Sequence, residues 1–312
     1  MAKNKNIKKI SIIGAGGVGS NLAFAILNRI PPQELVLIDI SPGLAEGICL
    51  DLEDTRGFLN FITNIKGSSD YSDIKNSDIV VITAGVARKE GMSRLDLLKI
   101  NAEIVKNISC QIRTHAPHTI VIVVTNPLDF VTYIVAKETQ FPRHRILGMG
   151  SSLDTSRLFN LLYTATKIPV AAIKGFVYWA HSNDMIVSLE RIKIKGRKLS
   201  QFIDKEKIGE IERRVQLRGS EIVSYLKTRS ASFAPAISIC FLIETIVKDT
   251  KKIIPVSVLL KGEYGLKDVC VGVPCIINRN GIGKIIEIKL TPYEKLELQK
   301  TEKLFKECMI SQ

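Results

Sequence analysis

The sequence predicts an α/β chain in which a doubly wound parallel sheet over residues 1–150 is followed by an α+β domain over residues 151–312. Three observations carry this. The runs VVIT (residues 80–83) and IVIVV (120–124) are apolar at nearly every position, as strands buried on both faces by covering helices must be. Strands and helical patterns alternate in the first half. Near residue 150 the pattern changes to long helices mixed with strands joined by turn signals.

Taken in order, KKISIIG opens the chain's first strand and a helical pattern from Val18 to Asn28 follows it. ELVLID is the second strand, with a helix around Leu44 to Leu52. DIVVITAG, a helix from Arg94 to Thr114, TIVIVVTN and a helix from Leu128 to Thr139 complete the βαβ series. In the second half, Asn280-Gly281 between IIN and IIEI signals a hairpin. Thr291-Pro292-Tyr293-Glu294 supplies an N-cap, a proline at the first helical position and a capping-box glutamate, which predicts a helix from there to about Cys308.

The first turn carries chemistry. Gly14-Ala15-Gly16-Gly17-Val18-Gly19 fits GxGxxG between a strand and a helix, the Rossmann setting for a pyrophosphate at a helix N-terminus. Alone the motif is weak. Asp39 strengthens it, because an acid ending the second strand twenty residues past Gly19 accepts from ribose hydroxyls and disfavours a 2′-phosphate, so NAD is expected over NADP. In the segment TAGVARKEGMSRLDLLKIN (83–101), Arg88 and Arg94 lie six residues apart on one loop, a clamp for a small dianion or, equally, two solvated surface arginines.

Asp154 and Arg157 lie three apart at the start of a helix, either a surface ion pair or a divided task in which Arg157 grips a carboxylate and Asp154 orients an imidazole. Of four histidines, His115 and His118 flank Pro117 at a polar helix end and His144 sits in the basic turn PRHR. His181 instead ends the apolar run Ala171 to Ala180, where a strand would deliver it into a cleft. A lone histidine there is more often structural than catalytic.

Composition excludes other classes. The net charge of +13 invites nucleic acid, but the lysines are spread along the chain and no aromatic-interleaved basic stripe exists. The longest apolar stretch, Phe233 to Val247, contains Pro235 and Glu244 and falls short of the roughly 20 residues a bilayer needs. The basic start runs straight into a glycine turn, so no export signal is expected. Six cysteines without CxxC spacing imply reduced thiols in a cytoplasm and no metal.

The order GAGGVG, VLID, TAGVARKEGMSR, VVTNPLD, LDTSR, a histidine, LKGEYGLKDVCVGVP and NGIGKIIEIKL resembles the L-lactate/malate dehydrogenases, specifically the lactate-dehydrogenase-like malate dehydrogenases, over essentially the whole chain. The resemblance implies NAD-dependent oxidation of malate to oxaloacetate in the tricarboxylic acid cycle by a homodimer or homotetramer. It implies His181 as acid/base, Asp154 as its partner, Arg157 on the C1 carboxylate and Arg94 polarising the carbonyl. Asn126 would touch substrate and cofactor. Thr83, Ala84, Gly85, Asn101 and Val124 would join the glycine turn and Asp39 around NAD. Arg88 matches the position that sorts substrates, glutamine in lactate enzymes and arginine in malate enzymes.

The chain departs from the family pattern at Trp179, Ala180 and Ser182, where small residues, often glycines, are usual, at Asn183 in place of an aspartate, and at Arg229 in place of a glycine. Serine tolerates fewer backbone conformations than glycine. Two rival expectations therefore stand beside malate oxidation: a dehydrogenase for lactate or another 2-hydroxy acid, and an NAD-binding protein with weakened catalysis.

Overall fold

The computed structural model describes residues 7–87, 94–182 and 185–310. In chain order the first half contains β1 (Lys9–Ile13), α1 (Gly17–Arg29), β2 (Glu34–Ile38), α2 (Pro42–Asp54), the single turn α3 (Arg56–Leu59), β3 (Asn64–Ser68), β4 (Ile79–Ile82), α4 (Arg94–His115), β5 (Ile120–Val123), α5 (Leu128–Thr139) and β6 (Ile146–Gly148). The second half contains α6 (Gly150–Thr166), the short strands β7 (Ile173–Lys174), β8 (Lys193–Ile194) and β9 (Arg197–Lys198), α7 (Lys205–Leu226), α8 (Phe233–Val247), β10 (Ile253–Lys261), β11 (Lys267–Asn278), β12 (Gly281–Ile285) and α9 (Pro292–Ile310).

The six strands β1–β6 pair in parallel in the spatial order β3-β2-β1-β4-β5-β6, the doubly wound arrangement expected from sequence. The sheet does not stop there. Antiparallel β10 pairs with β6 at Ser257 opposite Gly148, and β11 and β12 extend it to nine strands. A separate three-stranded antiparallel sheet, β7-β8-β9, lies over a second apolar cluster that includes Leu158, Leu162, Ile192 and Val215.

Local signals explain most boundaries. Thr291 and Glu294 form the reciprocal capping box at the start of α9, each accepting from the other's backbone N–H, at 3.2 and 2.8 Å. The apolar helix α8 packs against α1 in the core, and among the described residues no helix is long and apolar enough to cross a membrane.

The structure differs from the sequence expectation between Ala171 and Ala180. That run is not one strand: β7 covers two residues, Gly175 has φ 137° and Trp179 has φ 68°. Left-handed residues break a ladder, so His181 is delivered by isolated bridges, Tyr178 to Ile186 and Trp179 to Gly272. Of the three described departures near His181, only Trp179 adopts positive φ; Ala180 and Ser182 do not need a glycine's freedom.

Candidate active site

The carboxyl ends of β1, β2, β4 and β5 present the first half of the site, because parallel strands all aim their loops the same way. Gly14 follows β1 with φ 105°, and a Cβ there would stand 2.5 Å from Ala84 N. At Gly19 a Cβ would collide with the Gly14 carbonyl, so α1 can lie close to β1 only with glycine at both positions. Gly16 is different: nothing lies within 4 Å of where its Cβ would be, leaving room above the free N–H groups that open α1. That open cradle fits a pyrophosphate.

Asp39 stands at the end of β2, partly exposed, with Oδ2 accepting from Ala15 N at 2.8 Å and Oδ1 from Ser41 N at 3.0 Å. Both oxygens keep a further lone pair for ribose hydroxyls. Thr83 Oγ1 donates to the Gly14 carbonyl at 2.8 Å, and Thr125 Oγ1 to the Ala84 carbonyl at 2.6 Å, tying neighbouring loops together. Ala84, Gly85 and Val124 lie on those loops. Asn101, fully buried in α4, accepts from Val86 N and donates to the carbonyls of Val86 and Asn126, so its amide braces two loops from beneath. The Asn126 side chain is exposed and makes no hydrogen bond to a described residue.

The second half of the site is built on α6. Asp154 lies one turn in and is 1% exposed; its Oδ2 meets His181 Nδ1 at 2.7 Å and its Oδ1 accepts from Arg157 Nη1 at 3.1 Å. An ionised carboxylate only accepts, so the neutral ring carries its proton on Nδ1 and leaves Nε2 as the free basic atom. Arg157 spends one N–H on Asp154 and keeps the others, and α7 passes it at Gly219, whose Cβ would lie 3.7 Å from Nη2. The structure brings these three sequence-predicted residues together.

Burial works against the charged form of His181, but the charge and hydrogen bond of Asp154 outweigh it and the opposing Arg157 cation, with Asp129 adding in the same sense. The net effect raises the imidazole above its ordinary value.

Two residues were missed. Asp129, 3% exposed in the first turn of α5, accepts from the His181 backbone N–H at 2.8 Å and from Ser257 Oγ at 2.6 Å. Asp129 falls within VVTNPLD, but an acid in a first helical turn reads as ordinary helix chemistry. Ser257 lies 128 residues away on β10 and carries no local signal. A cavity of about 250 Å³, lined by Asp129, Ala180, Ser182 and Cys270 among others, lies beside the same segment. Arg88, Asn183 and the side chain of Arg94 lie outside the described residues; the Arg94 backbone begins α4. Arg229 is exposed and has no ion-pair partner among the described residues.

The chain is similar to known proteins over almost its whole length. Residues 8–148 match the lactate/malate dehydrogenase NAD binding domain, and residues 151–311 match the lactate/malate dehydrogenase alpha/beta C-terminal domain. Malate dehydrogenase of Pelodictyon phaeoclathratiforme is 41% identical over 299 residues, 96% of each chain. The crystal structure of Cryptosporidium parvum malate dehydrogenase superposes with a TM-score of 0.94 at 34% identity, covering 97% of this chain and 98% of that one. Lactate dehydrogenase from the same organism, solved with lactic acid and nicotinamide adenine dinucleotide, superposes at 0.92 with 30% identity over 96% of each chain.

Proposed function

The chain belongs to the lactate/malate dehydrogenase family, and on that premise we propose how its residues divide the work. It is an NAD-dependent malate dehydrogenase, interconverting (S)-malate and oxaloacetate. The observation that carries the assignment of roles is Asp154 between His181 and Arg157, at 2.7 and 3.1 Å.

Residues 1–150 hold the cofactor: the Gly14–Gly19 turn at the pyrophosphate, Asp39 at the adenosine ribose, and the loops of Thr83–Gly85 and Val124–Asn126 beneath the nicotinamide. Asn101 acts there by holding those loops. NAD, when bound, supplies the hydride acceptor for C2 of malate or the hydride donor to oxaloacetate. Residues 151–312 supply the acid–base group and the substrate anchor.

In oxidation, Nε2 of neutral His181 takes the hydroxyl proton, and Asp154, already hydrogen-bonded to Nδ1–H, stabilises the imidazolium that forms. In reduction the charged ring returns that proton to the carbonyl oxygen. Arg157 holds the C1 carboxylate with the N–H groups that Asp154 leaves free. Arg94 is assigned the carbonyl oxygen and Arg88 the C4 carboxylate, both from their positions in the sequence. An arginine there, once closed over the substrate away from water, would favour a dicarboxylate twice, through a charge-assisted bond of roughly 1.5–3 kcal/mol and through the cost of leaving a cation facing a methyl group.

We also assign the protein to the cytoplasm and the tricarboxylic acid cycle, as a homodimer or homotetramer. The absence of any disulfide among the described residues supports a reducing compartment. The test is loss of NADH absorbance with purified protein. Oxidation is expected with oxaloacetate and not with pyruvate, and NADPH should be poor in both. Faster turnover of pyruvate than of oxaloacetate would overturn the specificity assigned to Arg88.

A further inference from the structure

The Asp154–His181 pair does not account for how the ring is held. A ring hydrogen bond fixes one end of a side chain; the other end is the backbone that carries it. Residues 179–182 form no regular strand, so their position depends on individual contacts. Trp179 makes several of them: its N–H donates to the Gly272 carbonyl at 2.8 Å, and its carbonyl accepts from Gly272 N at 3.1 Å and from Ser151 Oγ at 3.4 Å. Another is at His181 itself. Its N–H donates to Asp129 Oδ2, and Asp129 is in turn gripped through Oδ1 by Ser257 of β10.

A neutral acceptor, an asparagine or a backbone carbonyl, would satisfy one N–H. A carboxylate at 3% exposure is the costly choice, tolerated here because the first turn of α5, the Ser257 hydroxyl and the His181 N–H all favour negative charge. We propose that Asp129 is a positioning residue for the acid–base reaction, fixing the backbone from which the His181 ring reaches Asp154 and setting a second carboxylate beside that ring. This rests on His181 being the acid–base group.

The charge has a consequence of definite sign. Facing His181 are Asp154 and Arg157 from α6 and Asp129 from α5; both acids favour imidazolium and the guanidinium opposes it. Removing the Asp129 charge lets burial count for more, so His181 should give up its proton at lower pH. Malate oxidation, which needs the neutral ring, would then begin at lower pH. Oxaloacetate reduction, which needs the charged ring, would fade at lower pH.

Asp129→Asn in the full chain tests this with two readouts. With four histidines in the chain, the His181 imidazole can be assigned by its loss in His181→Asn and titrated by NMR without turnover. The expected result is a His181 midpoint at lower pH in Asp129→Asn than in the unmodified protein. In the pH profile of malate oxidation the acid limb should move the same way, with kcat reduced at least about tenfold and NADH affinity within about twofold. Superimposable His181 titrations and pH profiles in the two proteins would overturn the proposal. If the unmodified protein turns over no 2-oxo acid, the assigned reaction fails and the NMR titration still decides the role of Asp129. Should Asp129→Asn not fold, Asp129→Ser, which removes the charge and keeps an acceptor, is expected to shift the titration in the same direction, and no shift there would likewise overturn it.

Discussion

His181 lies among two carboxylates and a guanidinium, and their balance decides the pH at which it works. Because its folded value is raised, charged imidazolium persists above the pH where a free histidine has lost its proton. Reduction of oxaloacetate should therefore hold its rate toward neutral pH and fall as pH rises through that value, while malate oxidation rises over the same interval. Asp154→Asn removes the larger favourable charge and should shift both limbs to lower pH, as a pH series of kcat/KM would show. His181→Asn should lower turnover about 10²- to 10⁴-fold with NADH binding retained, measured by NADH fluorescence. Turnover near that of the unmodified protein would remove His181 from the mechanism. Arg88→Gln tests the substrate assignment: kcat/KM for oxaloacetate should fall at least ~10- to 100-fold and pyruvate should gain.

At the scale of elements, α9 is docked by more than its cap. Glu294 accepts from Arg191 Nε and Nη2 at 3.1 and 2.8 Å and also from Ser188 Oγ, and its carboxyl is pushed down to about 2. A carboxylate lowered on folding contributes stability that is complete above its unfolded value of about 4.3 and lost as pH falls toward 2. Glu294→Gln should lower stability by about 2–3 kcal/mol at pH 7 and flatten acid unfolding between pH 4 and 2, as thermal melts across that range would reveal. Trp179 poses the opposite balance. Its positive φ costs roughly 1–2 kcal/mol, while its fully buried indole meets Tyr264 edge-on at 5.0 Å. Trp179→Gly relieves the backbone but empties a site worth about 3–5 kcal/mol, so a lower melting temperature is expected. Trp179 is the only tryptophan, so its emission follows this segment directly.

For the whole molecule, the nine-stranded sheet joins cofactor and substrate halves through one β6–β10 pairing, which sets α5 and α6 against β10. Phe58 and Ile62 are more than 90% exposed, and Tyr225 and Phe233 mostly exposed, which supports assembly into a homo-oligomer. Sedimentation should give a dimer or tetramer mass, and a monomer at micromolar concentration would refute it. Much of this architecture was legible in the chain because its signals are local. The bounds of α5, the glycine turn and the capping box follow from residues within a few positions of one another, and continuous apolar runs announce buried parallel strands. β3 and β6 escape the sequence reading, β6 because it has only three residues and β3 because NIKGS is only partly buried and carries no continuous apolar run. Asp154 and Arg157 were legible as a helical pair and His181 as the histidine best placed to join them, but with 27 residues between it and Asp154 the local pattern favoured a structural histidine until the family resemblance was added. Asp129 with Ser257, the left-handed Trp179 and the broken run before His181 were decided only by tertiary structure. The sequence by itself determined β1, β2, β4 and β5, the helices that follow them and the cofactor turn, whose energies depend on neighbours along the chain. Only the folded chain decided what holds the histidine, since a buried carboxylate and a strained backbone are stabilised by partners that sequence distance conceals.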